Sequence, residues 1–201
     1  MLFKNIIHYD VLDSTNSFLK EIVRKNKISE SMIIVANFQN KGVGQRNSSW
    51  ESKKNKNLLF SMFLSNDNLK SSLISYLNII TSLSIIYTLK KYIDNEDIKI
   101  KPPNDILLNN KKISGILIET KISKNYFKEI IIGVGININQ KNFSFKGYEP
   151  TSLIHHTKKK INRKIFLDSF IVKFNIFYDL FLSNDYEYLQ SEFKKHLNVK
   201  Y

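Results

Sequence analysis

The chain has 201 residues, 42% hydrophobic and 24% charged, enough for one good core of ordinary globular composition. It has no cysteine, no apolar run of the ~20 residues a membrane helix needs, and an N-terminus broken by Lys4, Asn5 and His8; this excludes disulfides, thiolate metal sites, a cysteine nucleophile and a signal peptide, and makes the cytoplasm the expected location. The formal net charge is +13, but 28 lysines against 3 arginines, beside 23 asparagines and 29 isoleucines, is the pattern of AT-rich codons, so a dispersed basic surface is favoured over a nucleic-acid site, and an acidic protein partner stays compatible.

Residues 5–12 alternate and predict a strand. Asp13-Ser14-Thr15-Asn16 then offers N-cap side chains, and Phe18, Leu19, Ile22 and Val23 follow at helical spacing to about Lys25. A plain helix cap is the simpler reading of the Asp-Ser-Thr-Asn run. A helix start that binds a small polar group is the other. Residues 32–39 and 57–64 predict two strands, both short and apolar. The connection between them is too long for a hairpin. It reads Gln39-Asn40-Lys41-Gly42-Val43-Gly44-Gln45-Arg46-Asn47-Ser48-Ser49-Trp50, and it carries the only tryptophan. Lys41, Arg46, Lys53, Lys54 and Lys56, offset by Glu51, make the segment basic. Glycines there let the backbone approach a ligand and turn N–H groups toward an anion.

Residues 71–93 have a 3–4 period and predict the longest helix, covering one face of a sheet. Ile98-Lys99-Ile100 is a short strand. Lys101-Pro102-Pro103-Asn104-Asp105-Ile106 follows, where two prolines forbid regular structure and hold Lys101 at a strand end. It reads as a plain turn with a surface lysine, or as a lysine stiffly held to meet an anion. Residues 106–108 and 112–119 flank a hairpin turn at Asn109-Asn110-Lys111, and Gly115 inside the second strand marks a bulge or a close approach. Residues 129–138 predict a buried strand containing Gly133-Val134-Gly135 and Asn137, whose amide needs a partner if buried. Residues 141–160 look irregular; adjacent His155 and His156 do not suit a metal. Helices are expected at 162–182 and 184–197.

Four of these stretches resemble biotin–protein ligases. Asp13-Ser14-Thr15-Asn16 is similar to the family's Asp-Ser-Thr-Asn. The long loop resembles its Gln-x-x-Gly-Arg-Gly-x-x-Gly-x-x-Trp signature. Lys101-Pro102-Pro103-Asn104-Asp105-Ile106 with Lys112 and Ser114-Gly115-Ile116-Leu117 resembles Lys-Trp-Pro-Asn-Asp followed by Lys-x-x-Gly-Ile-Leu. Gly133-Val134-Gly135-Ile136-Asn137-Ile138-Asn139 resembles Gly-x-Gly-Ile-Asn-Val-Asn. Each is modest alone; four in the family's order over about residues 10–140 are specific. Three positions depart from the pattern: Val43 replaces an arginine, Asn47 a glycine and Pro102 a tryptophan.

The resemblance implies an α+β fold with a mixed, largely antiparallel sheet and helices mainly on one face. It implies a single catalytic domain over 1–201, with motifs at about 10–140 and closing helices at about 162–197. No DNA-binding domain precedes the motifs in this reading, and the chain ends before the small C-terminal β-barrel of many relatives. The implied activity uses ATP, biotin and Mg2+ to form biotinyl-AMP, then transfers biotin to a lysine of a biotin carboxyl carrier protein, as in acetyl-CoA carboxylase. Lys101 is implied as catalytic. Ser14, Thr15, Asn16 and Gln39 would bind the biotin ureido end; Val43, Gly44 and Gln45 would lie along biotin and the adenylate linkage through their backbone, beside Lys101. Trp50 and Asn137 would meet adenine, with Gly42, Arg46, Lys112 and Gly115 on the nucleotide side. Metal ligands are not identified. No membrane and no specific DNA are expected as partners, and a homodimer is left open. Two alternatives remain: a lipoate or other acyl–protein ligase on the same fold, and a degenerate, non-catalytic nucleic-acid-binding module.

Overall fold

The computed structural model describes residues 2–26, 28–65, 68–94, 97–144 and 149–198. Seven strands and five α-helices are formed by these residues. They are β1 (Asn5–Leu12), α1 (Thr15–Asn26), β2 (Met32–Gln39), β3 (Leu58–Phe63), α2 (Ile74–Leu89), β4 (Ile98–Lys101), β5 (Asp105–Leu108), β6 (Lys111–Ser123), β7 (Tyr126–Ile136), α3 (Leu153–Thr157), α4 (Arg163–Leu182) and α5 (Tyr186–Lys195). The strands form one sheet in the order β1-β2-β3-β7-β6-β5-β4. β1 and β2 are parallel, joined through α1 as a parallel pair requires. The β2–β3, β3–β7, β4–β5 and β5–β6 pairs are antiparallel. The expected mixed, largely antiparallel α+β fold is therefore present.

The chain divides into two compact units: Met1–Ile74 with Ile116–Ile136, and Ser75–Gly115 with Asn137–Tyr201. In the first, the apolar stripe of α1 explains its packing. Leu19 and Val23 are buried with Met32 and Ile34 of β2, Phe63 of β3 and Ile131 of β7, while Phe18 and Ile22 lean on the same cluster. Each such side chain contributes roughly 1.5–3 kcal/mol by leaving water. Ser14 opens the helix: its carbonyl accepts from Phe18 N at 3.0 Å and its hydroxyl lies 3.4 Å from Ser17 N.

In the second unit, α2 is buried almost all round, from Leu77 to Leu89, rather than presenting one apolar face. The stretch Ser71–Leu89 passes as a membrane span by length and composition alone, and 61% of its 18-residue apolar window is buried inside the protein. Its hydroxyls are closed internally. Thr81, Ser84 and Thr88 donate to the carbonyls of Leu77, Ile80 and Ser84 at 2.6, 2.5 and 2.6 Å, the way polar side chains become tolerable in a core helix. Asn162 caps α4 by accepting from Lys164 N and Ile165 N. The stretch expected to be irregular contains the short helix α3; its residues 145–148 lie outside the described residues.

Candidate functional site

In the first unit, the Asp-Ser-Thr-Asn run becomes the start of α1, and Ser14, Thr15 and Asn16 are all buried there. Gln39, at the end of β2, accepts through Oε1 from both Thr15 N (2.8 Å) and Thr15 Oγ1 (2.9 Å). Ser61 on β3 is fully buried, with Oγ 2.7 Å from Thr15 Oγ1 and 2.5 Å from Asn16 Oδ1. Asn16 Nδ2 donates to Glu119 Oε2 at 2.8 Å and lies 3.3 Å from Leu117 O. Gly133, opposite Ser61 on β7, admits this amide: a Cβ there would stand 2.3 Å from Asn16 Oδ1.

Proton counting gives the network its chemistry. The Thr15 hydroxyl hydrogen goes to Gln39, so Thr15 Oγ1 faces Ser61 as an acceptor. The single Ser61 hydrogen then faces two acceptors, Thr15 Oγ1 and Asn16 Oδ1, and satisfies one. A buried cluster with an acceptor in excess suits a ligand that brings N–H donors.

The long loop closes on itself. Asn40 N donates to Leu12 O and Lys41 N to Asp13 O, both at 2.9 Å, and Trp50 N donates to Gly42 O at 2.9 Å. Val43 and Ser49 form an antiparallel bridge. The Gly44 N–H donates to Ser48 O at 2.6 Å, so in this conformation it serves the loop rather than an anion. The left-handed residue of the turn is Arg46, with φ 52° and ψ 43°. The Val43 side chain is 44% exposed. Lys41 pairs with Asp13 at 3.0 Å, and the Lys41 ammonium with the Asn40 amide holds the Asp13 carboxyl below its ordinary range. The indole of Trp50 lies against Gly135 of β7, where a Cβ would meet Cε2 at 2.4 Å.

The second unit holds Lys101, Lys112, Gly115 and Asn137. Lys101 ends β4, directly opposite Asp105 of β5, and Asp105 is opposite Gly115 of β6. Directly opposed residues share a face, so Lys101, Asp105 and Gly115 form one row. Lys112 reaches the same carboxylate, Nζ to Oδ1 2.6 Å, with its side chain 25% exposed. A register shift between Ile106 and Leu107 puts a bulge at this point, where Ile106 faces Ser114 and Leu107 faces Lys112. Asn78 of α2 donates to Pro103 O and braces the turn after Lys101. Asn137 is buried, and its backbone is used on both sides: N–H to Ile113 O (2.9 Å) and C=O from Leu153 N (3.1 Å). Its Nδ2 lies 3.5 Å from Lys112 O, and its Oδ1 accepts from no group among the described residues.

The expected residues thus gather in two groups. Ser14, Thr15, Asn16 and Gln39 form one hydrogen-bonded cluster; Lys101 and Gly115 lie opposite Asp105 in the sheet, and Lys112 pairs with its carboxylate. Gly42 carries the close crossing of the loop, where a Cβ would stand 2.6 Å from Trp50 O. Gln45 and Arg46 form the loop's 3-10 turn. Three residues were missed. Ser61 had a signal, being a lone hydroxyl inside the apolar run Leu58–Leu64. Asp105 stood in a quoted motif but was given no role. Glu119 had no signal, because a strand carboxylate is ordinarily solvated. Among the described residues no three His, Cys, Asp or Glu side chains converge on a metal position.

Residues 9–137 match the Biotin/lipoate A/B protein ligase family. The chain is 30% identical over 163 residues to the bifunctional ligase/repressor BirA of Bacillus subtilis, covering 80% of this chain and 49% of that protein. It is 28% identical over 177 residues to biotin–protein ligase 2 of Arabidopsis thaliana, covering 82% of this chain and 50% of that protein. The chain thus spans about half the length of the curated relatives it matches. The solved biotin protein ligase of Aquifex aeolicus in complex with biotin and ATP superposes with a TM-score of 0.82 at 28% identity, over 98% of this chain and 79% of that one. With its motifs on these elements and the match spanning both groups of residues, the chain belongs to the biotin/lipoate A/B protein ligase family.

Proposed function

We propose that this chain is a biotin–protein ligase acting in the cytoplasm, which activates biotin with ATP and attaches it to a lysine of a carboxylase's biotin carboxyl carrier protein. The observation that carries the reading is the Gln39–Thr15–Ser61–Asn16 cluster, buried except at Gln39, with an acceptor in excess. A cyclic urea brings two N–H donors and one carbonyl; the dithiolane of lipoate brings none, so the cluster favours biotin. The orphaned Asn137 Oδ1 supports a second donor, such as the exocyclic amine of adenine.

In the first step a biotin carboxylate oxygen bonds to the α-phosphorus of ATP, and the bond to pyrophosphate breaks. Negative charge gathers on the α-phosphate, where a positioned ammonium is most effective. Lys101 and Lys112 are both candidates, because Asp105 orients one and faces the other. In the second step the neutral amine of the acceptor lysine attacks the acyl carbon. The bond to AMP breaks and the amine gives up a proton. Magnesium would arrive with the nucleotide and would neutralise part of its phosphate charge.

Incubation with biotin, ATP, magnesium and a carrier domain should yield a covalently biotinylated carrier with release of pyrophosphate. Absence of both from a folded sample, or equal labelling by lipoate, would overturn the reading. Lys101→Ala and Lys112→Ala should each retain the fold by circular dichroism. At least one should lower adenylation by about 10²-fold or more, the scale of losing a group that stabilises transition-state charge.

A further inference from the structure

We infer that Glu119 is a positioning residue for the ligand cluster: it fixes the Asn16 amide so that Oδ1, and not the NH2 group, faces the ligand. The inference rests on the biotin reading, since it concerns the end that would receive the ureido group. Asn16 Nδ2 has two neighbours, Glu119 Oε2 at 2.8 Å and Leu117 O at 3.3 Å. Neither a carboxylate nor a backbone carbonyl donates. Flipping the amide would set Oδ1 against both oxygens and leave the NH2 group beside Ser61. One orientation is therefore strongly preferred.

Lys20 holds the other end of the carboxylate, Nζ to Oε1 2.7 Å. That pair keeps Glu119 turned toward α1, where it meets both Asn16 and Lys20 one helical turn apart. The consequence lies at Asn16 Oδ1. It is 2.5 Å from Ser61 Oγ and occupies the space that the missing Gly133 side chain leaves open. An acceptor there complements a ligand N–H. An NH2 group would repel it.

A purely structural tie between α1 and β6 is the competing account, and the two differ in what they move. Biotin titration by calorimetry, KM for ATP and thermal midpoint would be measured for wild type, Glu119→Ala and Glu119→Gln. Glu119→Ala should weaken biotin binding about tenfold, the effect of losing one well-made hydrogen bond to a buried group. KM for ATP should stay within about twofold in the same variant. Glu119→Gln keeps an acceptor for Nδ2 and should retain most of the affinity despite losing the Lys20 ion pair. In ligand-free protein, the Asn16 side-chain NH2 should be protected from exchange in wild type and unprotected in Glu119→Ala. Unchanged biotin affinity in Glu119→Ala, a parallel fall in midpoint, ATP and biotin affinity, or Glu119→Gln as weak as Glu119→Ala would overturn the inference. A wild type that does not bind biotin overturns the biotin reading itself, and the same titration separates that outcome.

Discussion

Gly133 and Gly135 sit two apart on β7, and each is occupied from above by a different side chain. A Cβ at Gly133 would collide with the Asn16 amide, and one at Gly135 with the Trp50 indole. Both distances are far inside van der Waals contact, so accommodating a methyl group costs about 1–3 kcal/mol. Gly133→Ala should therefore raise the biotin KM, and Gly135→Ala the ATP KM, each with the smaller effect on the other substrate; steady-state kinetics in both substrates checks this. Ser61→Ala removes the hydroxyl between Thr15 and Asn16, leaving a buried acceptor without its donor. A stability loss of about 1–3 kcal/mol in a urea melt is expected, together with weaker biotin binding. At the same scale, Asp105 takes a role that its place in the chain did not suggest: it stands opposite Lys101 in the sheet and its carboxylate pairs with Lys112.

At the scale of elements, β4 is the outer strand of its sheet, and the residues after α5 cover it. Ile100 N donates to His196 O at 2.6 Å and Asn198 N donates to Ile100 O at 2.8 Å, one residue before Lys101. Covering an edge in this way protects unpaired backbone groups. Truncation after Lys195 should lower the thermal midpoint by several degrees and reduce adenylation more than it reduces biotin binding. The His196 ring is packed beside Lys90 in the turn after α2, Glu192 and Lys195 of α5, Tyr87 and the Ile98 carbonyl. Burial first, then the Lys90 charge, lowers its pKa below the ordinary 6.5. The folded protein thus holds the ring neutral where the unfolded chain takes up a proton. This stability is fully present above 6.5 and is lost as pH falls from there through the lower folded value. Thermal midpoints between about pH 5 and 7.5 should fall more steeply with acid in wild type than in His196→Gln. Nearby Tyr87 is pushed up to about 12 by burial and by its 2.6 Å bond to Glu192 Oε2, so it adds nothing in that window.

For the whole molecule, the net charge of +13 is the most conspicuous number in the composition, and some of the cations sit in ion pairs. Arg24 meets Glu129, Lys54 meets Asp10, Lys99 meets Asp97 and Lys111 meets Glu149, at 2.9, 2.6, 2.7 and 2.6 Å. Such exposed pairs contribute little stability, and the lysine excess follows the codon pattern that favours a dispersed basic surface over a nucleic-acid site. Binding to DNA duplexes of unrelated sequence should therefore be weak and equal, and should be abolished between about 50 and about 200 mM salt. Sequence-selective, salt-resistant binding would contradict this.

The alternating and helical periods gave the order and type of the main elements, because a strand face or helix stripe is written in neighbouring residues; the bounds of α2, β6 and β7 moved by three or four residues at one or both ends, and α3 was not anticipated. The four motifs, in their order along the chain, also pointed to the family that the match over residues 9–137 shows. What the chain could not announce was closure. Whether Asn16 presents its oxygen depends on Glu119, 103 residues away, and on Ser61, 45 residues away. Whether the Gly44 amide is available depends on the loop folding back through Ser48. A local pattern says which groups can donate or accept. Only the tertiary structure decides which of them are already satisfied, because that depends on partners brought together by strand register and helix packing rather than by sequence proximity.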